Sequence, residues 1–277
     1  MQIEKNISLA PYTTFRIGGN AEYFAVAETI DDIKTAVQFD TRTFILGNGS
    51  NLLVSSNGVK GLVLKISLRE ITHENNIIIS DSGVLLPTLS AYAKNNALSG
   101  LEWAGGVPGT VGGACKMNAG AFGGDIASIL AWIEILREDR VVRLTTKECN
   151  FSYRNSGFLD SDIILKAAFR LTNSTQNIIT SAMHLFAQQR SEKQPKGFSA
   201  GSVFKGADKP AGYYIDKAGL KNSRIGGAII SEKHANFILN TNNATSTDVL
   251  QLIAFIKNKV YDRFGITLQE EIQFVGM

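Results

Sequence analysis

Two cysteines, three histidines and five prolines among 277 residues exclude several kinds of protein. Cys115 and Cys149 are too few for a disulfide framework and form no C-x-x-C pair. Only His73, His184 and His234 could join them as zinc ligands, so no metal site is expected. No window approaches about 18 apolar residues, which argues against a membrane-spanning helix. The opening M-Q-I-E-K-N-I-S has no apolar leader, and the expectation is a cytoplasmic protein. Lysine and arginine never form a run of five, and the net charge is only +3. That argues against a nucleic-acid patch and is compatible with a small phosphate-bearing ligand. The 44% hydrophobic and 19% charged composition is that of a globular protein, and a chain of this length buries roughly three quarters of its unfolded surface.

Glycine is not scarce. Nine of the 25 residues from Gly100 to Gly124 are glycine. Each costs roughly 0.5–1 kcal/mol in a regular element relative to alanine, so this stretch is neither an ordinary helix nor a strand. Glycines interleaved with Thr110 and Asn118 let backbone amides approach a ligand, the composition of a phosphate or diphosphate cradle. Trp103, Val107, Val111, Met117 and Phe122 would pack the run down. A second glycine turn, Gly47-Asn48-Gly49-Ser50-Asn51, lies between Thr43–Leu46 and Leu52–Val54. A lone G-x-G is equally compatible with a hairpin turn.

The remaining pattern mixes helices and strands. A strand is expected around residues 23–26, then a helix capped by Thr29 with Asp31 and Asp32 in its first turn. Strands at 61–66 and 77–79 precede a helix over 86–95, with Pro87 in its first turn. A hairpin pairs 129–136 with 141–144 through Glu138-Asp139, a polar aromatic loop covers 151–156, and 163–171 is a strand. Helices follow at 178–192, 213–218 and 247–264, the last with Val249, Ile253, Ile256, Val260 and Phe264 in helical spacing and Gly265 at its C-terminus. Paired strands at 226–231 and 235–240 and a short one at 271–275 complete the reading. This order lacks regular βαβ alternation and predicts an α+β fold. No strand–G-x-G-x-x-G–helix unit is followed by an acidic residue, so a dinucleotide would lie across two small subdomains rather than in a Rossmann crevice.

With these residues in view, the chain resembles the UDP-N-acetylenolpyruvoylglucosamine reductases (UDP-N-acetylmuramate dehydrogenases). The resemblance runs through T-F-R-I-G-G (14–19), L-G-N-G-S-N-L-L-V (46–54), G-L-E-W-A-G-G-V-P-G-T-V-G-G-A (100–114), M-N-A-G-A-F-G (117–123), F-S-Y-R-N-S (151–156), A-G-S-V-F-K (200–205), H-A-N-F-I-L-N (234–240) and L-Q-E-E-I-Q-F-V-G (268–276). The flavin motifs alone are also similar to the wider vanillyl-alcohol-oxidase type of flavin fold. The resemblance implies two α+β FAD-binding subdomains, residues 1–70 and 71–175, and a substrate-binding domain, residues 176–277, with 172–177 as the connector. It implies non-covalent FAD, since neither glycine loop holds a histidine. Its contacts would be Arg16, Ile17 and Gly18; Gly47, Asn48, Gly49, Ser50 and Asn51; Gly105, Gly106, Pro108, Gly109, Thr110, Gly112 and Gly113; Asn118 and Gly120; and Arg224, Ile225 and Gly226. The implied reaction has two halves. NADPH reduces FAD, and UDP-N-acetylglucosamine enolpyruvate then receives hydride at its vinyl carbon and a proton at the neighbouring carbon, giving UDP-N-acetylmuramate for peptidoglycan synthesis. A monomer is expected.

Hydride attack on a vinyl carboxylate sends negative charge to the adjacent carbon and the carboxylate oxygens, so a fixed cation is needed there. The resemblance assigns Arg154 to that role, which a bidentate guanidinium suits. It assigns Glu271, in protonated form, as a second donor to the carboxylate, and Ser202 as the proton donor to carbon. Lys193 and Lys205 would sit around the substrate diphosphate. Taken singly, each is an ordinary loop or surface residue; the shared motif context favours the catalytic roles for Arg154, Ser202 and Glu271. His234 reads as structural. The chain departs from the family where Gly206-Ala207 replaces an Asn-Pro that carries a substrate contact, and where Gln269-Glu270 precedes Glu271, leaving Glu270 as a rival. The short connector leaves no room for the tyrosine-bearing insertion of some members, so the chain resembles the shorter class. Another FAD oxidoreductase of the same fold, or a non-catalytic flavin or nucleotide-sugar binding protein, stays open as an alternative.

Overall fold

A computed structural model describes residues 1–40, 42–206 and 208–277. Helices and strands are mixed along the chain, as an α+β fold requires. Most elements fall where the pattern puts them. The helix Ile30–Phe39 opens on a capping box in which Thr29 Oγ1 accepts from Asp32 N–H and the Asp32 carboxylate accepts from Thr29 N–H. Its buried residues are Ile33 and Ala36, and Val37 is half-buried. The helix Leu86–Asn95 carries its proline in the first turn. The hairpin of Leu130–Arg137 and Arg140–Thr145 turns through Glu138 and Asp139, both with positive φ (48° and 61°).

The chain forms two compact units. One comprises residues 1–2, 25–48 and 64–190; the other comprises 3–24, 49–63 and 191–277. The larger sheet of the first unit is antiparallel. Its strand order is Arg140–Thr145, Leu130–Arg137, Ile163–Arg170, Ile77–Asp81 and Ile71–Glu74. Its core gathers Ile78, Leu86, Leu89, Trp103, Val111, Cys115, Ile133, Ile135 and Phe169. Two residues of the expected connector, Thr172–Asn173, pair with Leu98–Ser99.

The second unit centres on the helix Ser246–Phe264, which has its own capping box (Thr245 and Asp248) and ends at Gly265 with φ +66°. Val249, Leu252, Ile253, Ile256 and Val260 form its buried stripe. They pack with Phe15, Ile17, Leu53, Phe204, Ile215 and Ile272. The short strand Gln273–Val275 runs parallel to Leu52–Val54, joining segments more than 200 residues apart in sequence.

Candidate active site

The first glycine turn is not a hairpin. Thr43–Leu46 pairs with Val59–Ile66, whereas Leu52–Val54 pairs with the strand Gln273–Val275. The two requirements for glycine in the turn differ. A Cβ at Gly47 would lie 2.6 Å from Thr110 Oγ1, so this position is small because the second glycine stretch presses on it. Gly49 sits at φ +59°, and its Cβ would clash with the Tyr12 carbonyl. Within the first unit the Asn48 side chain donates to the Pro108 carbonyl at 2.6 Å. Gly47 and Asn48 therefore lie directly against Pro108 and Thr110 of the second stretch. Lys65 Nζ donates to the Gly47 carbonyl at 3.2 Å, and burial, with Arg69 nearby, pushes its pKa down. Sequence reasoning passed over Lys65. The available signal was a lysine inside the strand Val59–Ile66, where its apolar neighbours are buried.

Several amides of the second stretch are engaged inside the fold. In the helix Val111–Lys116 the first amides already have partners: Val111 N–H donates to Val84 O, Gly112 N–H to Ser82 O, and Gly113 N–H to Thr110 Oγ1. Gly112 is glycine because its Cβ would approach Ser82 Cβ at 2.9 Å. Gly105 and Gly106 lie under the helix Gln176–Lys193, with Met183 and Arg190 occupying the space next to them. Phe122 stacks on Phe186 at 4.8 Å from the same helix. Gly109 accepts from Leu86 N–H. Gly120 pairs in the two-residue strand Gly120–Ala121 with Gly124–Asp125.

Asn118 acts as a clasp. Its Nδ2 donates to the Ser152 carbonyl at 3.1 Å and its Oδ1 accepts from Ala127 N–H at 3.0 Å. Ser152 opens the tight turn that carries Arg154, closed by reciprocal Ser152–Asn155 backbone bonds of 3.1 and 3.2 Å. Arg154 is half-buried and has φ +56°, a left-handed conformation that disfavours any side chain. The Ser156 hydroxyl donates to Lys116 O at 2.6 Å and anchors the far side of the turn.

In the second unit, Ser202 and Glu271 are neighbours through the backbone. Val203 lies between them in hydrogen bonding: its carbonyl accepts from Glu271 N–H at 2.8 Å. The Glu271 carbonyl accepts from Asn51 Nδ2 at 3.0 Å, and Gln273 N–H donates to Asn51 O at 2.9 Å. A residue of the first glycine turn thus holds the segment bearing Glu271. Glu270, the rival acid, has its carboxylate on Lys257 Nζ at 2.7 Å.

Lys205 N–H donates to Gln269 O, and its side chain is half-buried; Lys193 ends its helix exposed. Arg16, at φ +56°, donates to Pro11 O and lies over the exposed Phe198 ring at 5.7 Å; Ile17 is in the core. Gly18 packs on Val54. Ile225 pairs with Ala228 in a small sheet, Arg224 donates to Thr241 Oγ1, and Gly226 lies against the Asp248 carboxylate. Of the Gly206-Ala207 pair, Ala207 lies outside the described residues. His234 is half-buried with a pKa lowered by burial, and its Nδ1 accepts from Asn236 N–H at 3.2 Å, a structural role. Among the described residues no group of three His, Cys, Asp or Glu side chains could hold a metal. No described helix is long and apolar enough to cross a membrane.

Gly47 and Asn48 set against Pro108 and Thr110, with Lys65 on the Gly47 carbonyl, have the makings of part of a nucleotide-cofactor site, and comparison with known families agrees. An FAD binding domain matches residues 21–144, which makes the chain an FAD-dependent oxidoreductase when taken with its relatives. The C-terminal domain of UDP-N-acetylenolpyruvoylglucosamine reductase matches residues 193–275. The UDP-N-acetylenolpyruvoylglucosamine reductase of Caldanaerobacter subterraneus subsp. tengcongensis is 41% identical, over 98% of this chain and 93% of its own length. That of Pseudothermotoga lettingae is also 41% identical, over 98% and 97%. The crystal structure of the Thermus caldophilus enzyme superposes with a TM-score of 0.89 at 34% identity, covering 99% of both chains. The chain belongs to the UDP-N-acetylenolpyruvoylglucosamine reductase family.

Proposed function

We propose that this protein reduces UDP-N-acetylglucosamine enolpyruvate to UDP-N-acetylmuramate with NADPH, in the cytoplasm, using non-covalent FAD. The observation that carries the reading is the hydrogen-bonded run Asn51–Glu271–Val203, which sets a glycine-turn residue, an acid and the stretch bearing Ser202 side by side. Residues 1–70 and 71–175 are the proposed FAD-binding subdomains, and 176–277 the substrate-binding domain.

The residues present fit a flavin dinucleotide. Gly47 leaves its Cβ space to Thr110, Asn48 ties the two turns, and Lys65 places a cation behind the first. The backbone of residues 47–51 and 105–110 would hold the diphosphate. The amides of Val111, Gly112 and Gly113 are engaged inside the fold and leave that task to their neighbours. Bound FAD supplies two-electron chemistry between NADPH and the vinyl carbon of the substrate.

Arg154 binds the substrate carboxylate and stabilises the charge that develops there in the transition state. Glu271, in its protonated form, donates to the same group; the pairing of Glu270 with Lys257 supports this choice between the two acids. The Ser202 hydroxyl delivers the proton to the carbon beside the carboxylate. Lys193 and Lys205 offset substrate phosphate charge.

Purified holoprotein should show a flavin spectrum and oxidise NADPH faster once the enolpyruvyl nucleotide is added. Protein without flavin, or flavin protein whose NADPH oxidation ignores that substrate, would sink the proposal.

A further inference from the structure

We infer that Asn236 is a positioning residue for the proton donor: its side-chain amide, bound to both backbone polar groups of Phe204, sets the register of the stretch that carries Ser202. The inference rests on the reading of Ser202 given above.

The stretch from Gly201 to Lys205 belongs to no extended sheet. It is held by single bridges, Ser202 with Phe237 and Phe204 with Glu270. Main chain satisfies Val203 on both sides: its N–H donates to Asn236 O at 2.9 Å and its carbonyl accepts from Glu271 N–H at 2.8 Å. Lys205 N–H donates to Gln269 O at 2.8 Å. For Phe204 the Asn236 side chain takes the part of a strand. Phe204 N–H donates to Oδ1 at 3.0 Å, and Nδ2 donates to Phe204 O at 2.8 Å. Both bonds are buried, with Asn236 at 6% and Phe204 at 1% exposure. Two main-chain groups buried this deeply need partners, and a carboxamide offers one donor and one acceptor side by side in peptide geometry.

On the other side of Ser202 the support is lighter: Gly201 N–H donates to Ser199 Oγ at 3.4 Å, and Ser202 itself bridges Phe237. Gly201 has φ +78°, and nothing lies within 4 Å of where its Cβ would be. The close hydrogen bonds that hold the Ser202 stretch therefore gather on the Val203–Lys205 side, where Asn236 makes three of them (two through its side chain and one through its carbonyl). A hydroxyl protonates carbon only from a well-placed position, and displacement by about 1 Å can cost roughly a hundredfold in rate. The amide that fixes Phe204 thus fixes the donor two residues earlier, without touching the substrate.

The test uses the holoenzyme and anaerobic rapid mixing to separate flavin reduction by NADPH from reoxidation by UDP-N-acetylglucosamine enolpyruvate. In Asn236→Ala, flavin content and the reduction rate stay within about twofold of wild type. Reoxidation slows at least about tenfold, KM for the nucleotide moves by less than about threefold, and the solvent deuterium isotope effect on reoxidation rises as proton delivery becomes limiting. Asn236→Gln keeps the amide but displaces it by one methylene; it folds if the truncation does not, and shows the same selective slowing. In a Ser202→Cys background, which keeps an acidic proton, either change adds less than about twofold, because two residues acting as one unit are not additive. Reoxidation at the wild-type rate in a folded Asn236 variant, or losses that multiply with Ser202→Cys, would overturn the inference. Normal turnover of Ser202→Ala would instead remove the proton-donor reading beneath it.

Discussion

Arg154 sits in a backbone conformation that no arginine prefers. A left-handed non-glycine residue costs roughly 1–2 kcal/mol, and here the Asn118 clasp and the Ser156–Lys116 bond hold it in place. Strain of this kind persists where a side chain is needed at that point. Arg154→Gly should therefore unfold within about 1 kcal/mol of wild type in a urea titration, while turnover falls at least about a hundredfold. A marked loss of stability would mean that the arginine serves the fold. Gly47 offers a complementary case. Gly47→Ala should lower the flavin bound per chain, because its methyl would meet Thr110 Oγ1 at 2.6 Å. Adding Thr110→Ala removes the oxygen and leaves only ordinary contacts, so the double variant should recover flavin absorbance relative to Gly47→Ala. No recovery, where Thr110→Ala alone keeps its flavin, would show that the turn is held by something other than this contact. At this scale the sequence marks which residue types carry chemistry, through motifs. It does not show that Asn118 and Asn236 use their amides on neighbouring backbone, since those partners lie 34 and 32 positions away.

The longer helices were legible because their ends are written in local chemistry; the short helix Val111–Lys116, inside the glycine-rich stretch, was not. Thr29 with Asp32, Pro87, and Thr245 with Asp248 and Gly265 all mark boundaries within one turn of chain. Gly265 tests this directly. Its φ is +66°, and open space surrounds the position of a Cβ, so Gly265→Ala carries only the conformational term: about 1 kcal/mol and a fall of roughly 2–4 °C in Tm. A larger loss would show packing at that position. Strands were less legible. Ile3–Ser8 and Ile71–Glu74 carry mostly exposed side chains without a clean apolar alternation, and neither was expected. The pairing of Gln273–Val275 with Leu52–Val54 joins the chain's end to a segment near its beginning, and no local pattern encodes such a partner.

For the whole molecule, pH acts first through His234. Burial holds its pKa below the ordinary value of 6.5, so the unfolded chain takes up this proton at higher pH than the native one. Its contribution to stability is complete above about 6.5 and is lost as pH falls through the native value. Protonation would also put a hydrogen on Nδ1, where Asn236 N–H now donates. Tm should therefore fall as pH drops below about 6.5, and His234→Asn, whose oxygen can accept the same bond, should flatten that part of the curve. An unchanged slope would assign the loss to other groups. Asp162 and Asp248 act lower down: their carboxyls are held below the ordinary 3.8 despite burial, Asp162 by hydrogen bonds from Arg137 and the Leu159 amide, Asp248 by the Thr245 and Gly227 amides. The parallel pairing of 52–54 with 273–275 has a further consequence during synthesis. Residues 64–190 complete the first unit while the second still lacks its last segments. At roughly 5–20 residues per second, Leu52, Leu53 and Val54 wait about 10–45 s on the ribosome for their partner strand. Over that interval the nascent chain shows an apolar edge that the finished protein never does. Slow translation or loss of the final few codons should therefore be felt first as aggregation of new chains, before any change in the activity of those already made.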